Sequence, residues 1–177
     1  ERSVALHKNA ANTVNLGHTF LLRGDRSAAY AWYRDSIALI KSTEELDLGP
    51  IADFDLFVER GWQVAAVRAA RQWFVASYPA VLEAAQLISR VQVLNEAGDY
   101  ASAIPLAERA LVLIEQVFGP EHAMVASHMD VLGAGFFAMG RHDQALPLSL
   151  RALAISEKGE GPEHPSTSFR LDNLAEL

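Results

Sequence analysis

Histidines are the residues of this sequence best able to bind a metal ion or to move a proton, and there are six of them. His122 and His128 are six positions apart, which puts them on different faces of a helix. A helical metal-binding pair needs a spacing of three or four. The pair Glu121-His122 recurs as Glu163-His164, which a recurring turn explains better than a ligand set. We therefore expect no metal site.

Catalytic chemistry has equally little support in the sequence. There is no cysteine, so disulfides, thiolate metal ligands and cysteine nucleophiles are excluded. A serine nucleophile needs a base and an orienting group, and no motif of that kind surrounds Ser36, Ser42, Ser127 or Ser166. No glycine-rich phosphate loop is present. The sequence thus predicts no catalytic residue and no cofactor.

Charge and hydropathy limit the possible partners. With 15 basic and 22 acidic residues, the net charge is −7. This charge argues against nucleic acid and against an anionic membrane surface, and it gives a bias towards basic or neutral partners. The longest uncharged apolar run is much shorter than the roughly 20 residues of a membrane-spanning helix. Because the chain begins at Glu1 and stops at Leu177 within a helical pattern, we interpret it as a fragment, and we expect a cytoplasmic protein.

The candidate residues belong to a segment that occurs twice. Residues 98–122 read GDYASAIPLAERALVLIEQVFGPEH, and residues 140–164 read GRHDQALPLSLRALAISEKGEGPEH. Matched positions, such as Gly98 with Gly140 or His122 with His164, are 42 residues apart. Self-similarity at such a period is typical of a protein built from stacked repeats.

Apolar residues that return every three or four positions predict helix along nearly the whole chain. We expect nine helices, at about 6–23, 27–41, 51–60, 63–77, 80–97, 100–118, 121–139, 142–158 and from 164 or 165 onward. Glycines such as Gly24 follow the predicted helix ends, where left-handed backbone angles are needed. Ser42-Thr43 and Gly49-Pro50 mark a long connection, and Pro79 separates the fourth and fifth helices.

Small residues mark one face of the second helix in each predicted pair. They occur seven positions apart in four helices: Ala29 and Ser36, Ala69 and Ala76, Ala103 and Ala110, Ala145 and Ala152. Leu16-Gly17 and Leu132-Gly133 also hold the same place relative to the glycine that ends each helix. Because glycine inside a helix costs about 1 kcal/mol relative to alanine, its recurrence predicts a close helix crossing at both sites.

These residues resemble the tetratricopeptide repeat family, whose consensus has Leu-Gly, an aromatic residue, then Gly, Ala, an aromatic residue and Ala at these offsets. The first unit matches it with Leu16, Gly17, Phe20, Gly24, Ala29, Tyr33 and Ser36. The 42-residue period and the GPEH turn are similar to the subtype of kinesin light chains and many bacterial regulators. The resemblance implies an all-α solenoid of antiparallel helix pairs that forms a right-handed superhelix. It would be a single array over residues 1–177, with approximate units 6–41, 51–78, 80–118 and 121–158 and a partial unit or capping helix at 164–177.

The resemblance also implies a concave groove that holds an extended peptide or a partner helix. Its lining residues would be Asn15, His18, Gln92, Asn95, Glu96, Ser127, Asp130, Asp172 and Asn173, next to Val14, Ile88 and Ala134. These polar side chains suit a peptide backbone, and the acidic ones favour a ligand with Lys or Arg. The Lys and Asn side chains with which some family members hold a C-terminal carboxylate are not kept. The alternative is that these residues form solvated helix faces.

We interpret the chain as a non-enzymatic scaffold that binds a protein or peptide in this groove. One alternative is a regulatory segment of a larger enzyme or signalling protein, packed against its own effector domain. Another is self-association through an end of the solenoid, since ends need polar caps and Leu171, Leu174 and Leu177 are apolar. Aromatic residues in the weakly matching region are expected to pack the irregular helix pair there, with an exposed partner site as the alternative: Trp32, Phe54, Phe57, Trp62 and Trp73.

Overall fold

Apolar side chains at helical spacing are buried along eight α-helices in residues 10–40 and 46–175, the part of the chain that the computed structural model describes. Those residues contain no strand, so the all-α class predicted from the sequence is confirmed. Contacts divide the chain into unit 1, Glu1–Pro79, and unit 2, Ala80–Leu177.

Unit 1 begins with a helical hairpin. Helix α1 (Ala10–Leu22) and helix α2 (Arg26–Ile37) are joined by a turn at Gly24. The Asp25 side chain accepts a hydrogen bond from the Ala28 amide at 3.0 Å. This bond satisfies one of the free amides at the start of α2 and fixes where the helix begins.

The core of unit 1 is aromatic. Helix α3 (Ala52–Glu59) and the first part of α4 (Val64–Glu96) complete this unit. Tyr33, Phe54 and Phe74 are fully buried, and their ring centroids lie 5.1 to 5.6 Å apart. Inclined rings at these distances add favourable electrostatics to the burial of apolar area.

The connection before α3 is partly helical, contrary to the prediction. Asp47–Ile51 forms a π-helical turn that contains Gly49-Pro50 and leads directly into α3. In this wide turn the Ala52 amide bonds the Asp47 carbonyl, five residues back. Ile51 is buried, which favours continuing the helix over opening a loop. The rest of the predicted connection, residues 41–45, lies outside the described residues.

Pro79 does not end a helix, and this prediction was also wrong. Helix α4 runs without a break from Val64 to Glu96, so the two helices predicted at 63–77 and 80–97 are one. A proline removes the amide that would bond the carbonyl four residues earlier, here that of Val75. Val75 and Pro79 are both exposed, so water can satisfy the carbonyl and no break is forced.

Unit 2 repeats one hairpin geometry at the 42-residue spacing. The end of α4 is followed by α5 (Tyr100–Phe118), α6 (Ala123–Ala138), α7 (His142–Gly159) and α8 (Pro165–Ala175). The matched glycines that follow α4 and α6 have φ of 73° at Gly98 and 71° at Gly140. The same two backbone hydrogen bonds close both turns. The Gly98 amide donates to the Asn95 carbonyl and the Asp99 amide to the Leu94 carbonyl; at the second turn the Gly140 amide donates to the Phe137 carbonyl and the Arg141 amide to the Phe136 carbonyl. This helix ending requires a left-handed residue, which explains the repeated glycine.

The small-residue pattern is confirmed in α2, α5 and α7, where both members of each predicted pair are buried. In α4 it is wrong, since Ala69 and Ala76 are exposed. Ala66 and Ala70 are buried instead. The difference arises because Phe74, rather than its neighbour Trp73, enters the core of unit 1 and sets which face of α4 is buried.

Candidate functional site

The two repeated histidines are helix caps. His122 Nδ1 accepts a hydrogen bond from the Met124 amide at 3.2 Å at the start of α6, and His164 Nδ1 accepts one from the Ser166 amide at 3.3 Å at the start of α8. The free amides at a helix start need such acceptors. Local structure therefore explains the repetition. Within residues 10–40 and 46–175, no group of three or more potential ligand side chains is placed to hold a metal ion.

A serine, a histidine and a carboxylate meet near the start of α8 without the geometry of a catalytic relay. His164 Nδ1 lies 3.1 Å from Ser166 Oγ and 3.5 Å from Glu160 Oε2. In a relay, one ring nitrogen faces the serine and the other faces the acid. Here the same nitrogen makes both contacts and also caps α8, so the arrangement does not support nucleophilic catalysis.

His18 is buried in unit 1, which corrects its assignment to the predicted groove. It is 4% exposed, its Nδ1 lies 2.9 Å from the Tyr33 hydroxyl, and its Nε2 lies 3.4 Å from Asp53 Oδ2. Its ring also contacts Phe54 and Phe57 edge-on. Helix α3 therefore covers the face of α1 on which a ligand was expected.

Burial sets the protonation state of this cluster. Desolvation lowers the pKa of His18 to about 4, although the Asp53 carboxylate acts in the opposite direction. Burial also raises the pKa of the Tyr33 hydroxyl. The imidazole is therefore neutral near pH 7. His18 and Tyr33 are both buried, whereas the Asp53 side chain is 43% exposed. The cluster is therefore a polar network whose histidine and tyrosine lie in the core and whose carboxylate reaches solvent.

Unit 2 contains a pocket of about 720 Å³ between α6, α7 and α8. Cavities of this size hold small ligands or parts of larger ones. Ser127 and Asp130 line it from α6, and Ser166 and Asn173 line it from α8. These side chains offer both hydrogen-bond donors and acceptors.

Arg170 organises the polar side of the pocket. It is 5% exposed, and its Nε and Nη2 each lie 2.9 Å from Asp130 Oδ2. Nη2 also lies 3.4 Å from Ser127 Oγ, and Nη1 donates to Ser156 Oγ on α7. Nη1 is 3.9 Å from Glu160 Oε2. Each guanidinium nitrogen therefore has a partner, and Asp130 neutralises Arg170 within the pocket.

Asp130 is partly withdrawn from water. Its side chain is 18% exposed. Burial raises the pKa of its carboxyl group, and the Arg170 guanidinium opposes this rise. The expectation that Asp130 would attract a basic ligand is weakened, because its charge is already used within the chain.

The pocket also has apolar lining residues that are open to solvent. Val131 and Phe137 from α6 and Phe169 from α8 line it, and they are 39%, 38% and 57% exposed. Ala134 lies between the two α6 residues. Large apolar side chains exposed around one cavity mark a site that can bury a partner group.

The pocket brings together three of the nine predicted groove residues: Ser127, Asp130 and Asn173. Asp172 is exposed next to it on α8 but does not line it. In unit 1, Asn15 is exposed on α1 and Val14 is buried.

The other three predicted residues lie on the last turns of α4, outside the pocket. Gln92 and Glu96 are exposed, and the Gln92 amide donates to Glu96 Oε1 at 3.3 Å. Asn95 is partly buried, and its Oδ1 has no hydrogen-bond partner among the described residues. These residues remain a predicted extension of the ligand surface.

Sequence reasoning missed Arg170, Phe169 and Phe137. Helical spacing could have found them, because residues three, four or seven apart share a face. Phe169 and Arg170 are four and three positions before Asn173, and Phe137 is seven after Asp130. The repeat positions that predict the groove include the apolar Val14, Ile88 and Ala134 but none of the three missed residues.

The net charge of the chain is concentrated in unit 2. Residues 1–79 hold nine basic and nine acidic residues, and residues 80–177 hold six basic and thirteen acidic ones. The entire net charge of −7 therefore belongs to the unit that carries the pocket. Of the helices that the structure describes, none is both long and apolar enough to cross a membrane.

Paired helices, repeated glycine turns and the 42-residue period define the class as an all-α helical-repeat protein. A family model described as a tetratricopeptide repeat matches residues 82–158, from the last part of α4 to the end of α7. The matched segment is less than half of the chain, and it is similar to tetratricopeptide repeats. A comparison with curated proteins gives no match. The predicted fold class is confirmed as all-α, with tetratricopeptide-type repeats over residues 82–158. The single array over residues 1–177, the kinesin-light-chain subtype and a bacterial origin stay predictions.

Proposed function

We propose that unit 2 is a non-catalytic interaction module that binds an extended protein or peptide segment in the pocket between α6, α7 and α8. Tetratricopeptide repeats generally mediate protein–protein interaction. The observation that carries the proposal is convergence on one cavity. The repeat pattern predicts Ser127, Asp130 and Asn173 as peptide-facing on two separate helices, and they line the same pocket.

The chemistry of the pocket suits such a ligand. A peptide backbone offers amide donors and carbonyl acceptors, which the Asn173 amide and the Ser127 hydroxyl can match. The apolar residues Val131, Phe137 and Phe169 supply the surface on which a ligand side chain would be buried. The pocket is already open, so binding needs no large rearrangement of unit 2.

A pair of Ala→Arg variants tests this proposal. Ala134 is exposed and lines the pocket, whereas Ala154 is exposed on α7 outside it. Peptides are first selected from a random-peptide display library with the wild-type chain. Ala134→Arg should lower the affinity for the selected peptides by about tenfold or more, equivalent to about 1.4 kcal/mol of binding free energy, because the new side chain fills the cavity. Ala154→Arg should leave affinity unchanged.

Both changes are on exposed helix positions, so each should alter the free energy of unfolding by no more than about 0.5 kcal/mol, which thermal melting checks. Peptides that bind Ala134→Arg as tightly as wild type would place binding elsewhere. Light scattering of the same samples tests self-association, for which Phe169 and Leu171 on α8 offer exposed apolar side chains.

A further inference from the structure

The buried ion pair determines which side chains the pocket can accept. Arg170 has a partner on each guanidinium nitrogen, and Asp130 is its counterion. Glu160 also approaches Arg170, but it does not line the pocket. A ligand ammonium group that entered would lose its hydration, and Asp130, the residue that could pair with it, is already paired with Arg170. A ligand carboxylate would meet the same cost, because Arg170 is already paired with Asp130. An uncharged group avoids this loss.

The apolar residues that line the pocket favour a bulky apolar group. Val131, Phe137 and Phe169 line the cavity and are exposed. A branched aliphatic or aromatic side chain in the cavity would remove apolar area of these residues from water, which is the main favourable contribution to such contacts. A small or polar side chain would leave this area exposed.

Around the pocket the charge is acidic. Unit 2 carries the whole net charge of −7, and Asp172 is exposed beside the pocket residue Asn173. Arg170, the basic residue that lines the cavity, is buried and neutralised. A ligand position next to Asn173 would therefore approach the Asp172 carboxylate in a unit of negative net charge.

Resting on the proposed function, we infer that the Asp130–Arg170 pair makes this pocket select an uncharged, bulky apolar side chain as the anchor of a peptide segment whose neighbouring positions are basic. The pair acts on specificity by keeping the cavity electrically neutral. The acidic surface around the cavity acts on the flanking positions.

The test uses the peptides selected with wild type, resynthesised with Phe, Glu or Lys at the anchor position and a fluorescent label. Fluorescence anisotropy with the whole wild-type chain should give affinities at least about tenfold higher for the Phe anchor than for either charged anchor, equivalent to about 1.4 kcal/mol. This comparison needs no substitution and therefore cannot fail through misfolding.

Asp130→Asn then changes the charge and keeps the shape. The Asn oxygen can still accept from Arg170, but the wall of the cavity loses one negative charge, and Glu160 remains the one carboxylate near Arg170 among the described residues. The ratio of Glu-anchor to Phe-anchor affinity should therefore rise by about tenfold. Asp172→Asn is the matched control, because it removes the same charge from an exposed position outside the pocket. It should lower the affinity for peptides with basic flanking residues and leave the ratio of Glu-anchor to Phe-anchor affinity unchanged.

This inference would be overturned if the wild-type chain bound a charged anchor more tightly than Phe. It would also be overturned if Asp130→Asn left the ratio of Glu-anchor to Phe-anchor affinity unchanged. Neither result would contradict peptide binding itself. An equal shift in Asp172→Asn would overturn the inference as well. If no selected peptide depends on Ala134, the proposed function and this inference both fail.

Discussion

The two Leu-Gly pairs, alike in sequence, should respond in opposite ways to Gly→Ala. A methyl group added at Gly17 would lie 2.3 Å from Tyr33 Cε1 and 2.5 Å from Cδ1. The Tyr33 ring is fully buried and packed against His18, Phe54 and Phe74, so it has no free space to move into. At Gly133 the nearest atom would be Ser149 Oγ at 3.6 Å, an ordinary contact.

The expected magnitudes follow from two opposing effects. Alanine favours a helix interior over glycine by about 0.8–1 kcal/mol, and overpacking a core costs about 1–3 kcal/mol. The contact at Gly17 is short enough for the upper end of that range. Gly17→Ala should therefore lower the free energy of unfolding of unit 1 by about 2 kcal/mol. Gly133→Ala should raise that of unit 2 by about 0.5–1 kcal/mol.

The distribution of tryptophan allows the two units to be measured separately. All three tryptophans, at positions 32, 62 and 73, belong to unit 1. Urea unfolding followed by tryptophan fluorescence therefore reports unit 1, and circular dichroism reports both. Gly17→Ala should move the fluorescence transition to lower urea, whereas Gly133→Ala should change only the dichroism. An unchanged or higher fluorescence midpoint for Gly17→Ala would show that the Tyr33 ring does not pack on Gly17.

Three further predictions concern protonation, capping and the buried ion pair. The pKa of His18 is lowered from 6.5 to about 4, so the unfolded chain takes up the proton first as the pH falls. Between these values the free energy of unfolding of unit 1 should fall by up to about 1.4 kcal/mol per pH unit, and His18→Gln should flatten the pH dependence of the fluorescence midpoint. His122→Ala removes the acceptor of the Met124 amide and should cost about 1 kcal/mol in dichroism-detected unfolding; an unchanged midpoint would rule out the cap. Arg170→Met leaves Asp130 without its counterion and should cost about 3–5 kcal/mol, seen as faster amide hydrogen exchange in α8.

Local signals predicted most of the helix boundaries because they depend on a few neighbouring residues. Gly98 and Gly140 end helices by backbone geometry alone. Pro79 was misleading because its effect depends on whether the freed carbonyl can reach water, which is a tertiary property. The face of α4 was misassigned for a related reason, since the choice between Trp73 and Phe74 is made by the rings already present in unit 1.

The candidate site was predicted in part. Polar residues at repeat positions led to Ser127, Asp130 and Asn173, which line the pocket. His18 occupies an equivalent polar position but is covered by α3, and no repeat consensus contains that covering helix. The ion pair between Asp130 and Arg170 joins residues 40 positions apart, so neither local pattern nor composition could have indicated it.

In unit 2 the turn glycines and the capping histidines recur, whereas several residues that line the pocket do not, although Asp130 does recur as Asp172. Gly98 and His122, like their partners Gly140 and His164, keep their residue type after 42 positions. By contrast, the residues 42 positions before Phe137, Phe169 and Arg170 are Asn95, Ser127 and His128. Helix packing imposes the same requirement on each hairpin, whereas the proposed ligand would impose a different one on each part of its site.

Arg170 of the buried ion pair is among the pocket residues that do not recur at the 42-residue spacing. Apolar residues of similar volume usually stabilise a core as well as a buried ion pair or better, so packing alone does not account for Arg170. Its partners Asp130 and Ser127 line the pocket with it. The Arg170 charge is costly to bury, is absent from the matching position of the preceding repeat and is neutralised at the wall of a cavity, and the proposed selectivity of the pocket rests on these three features.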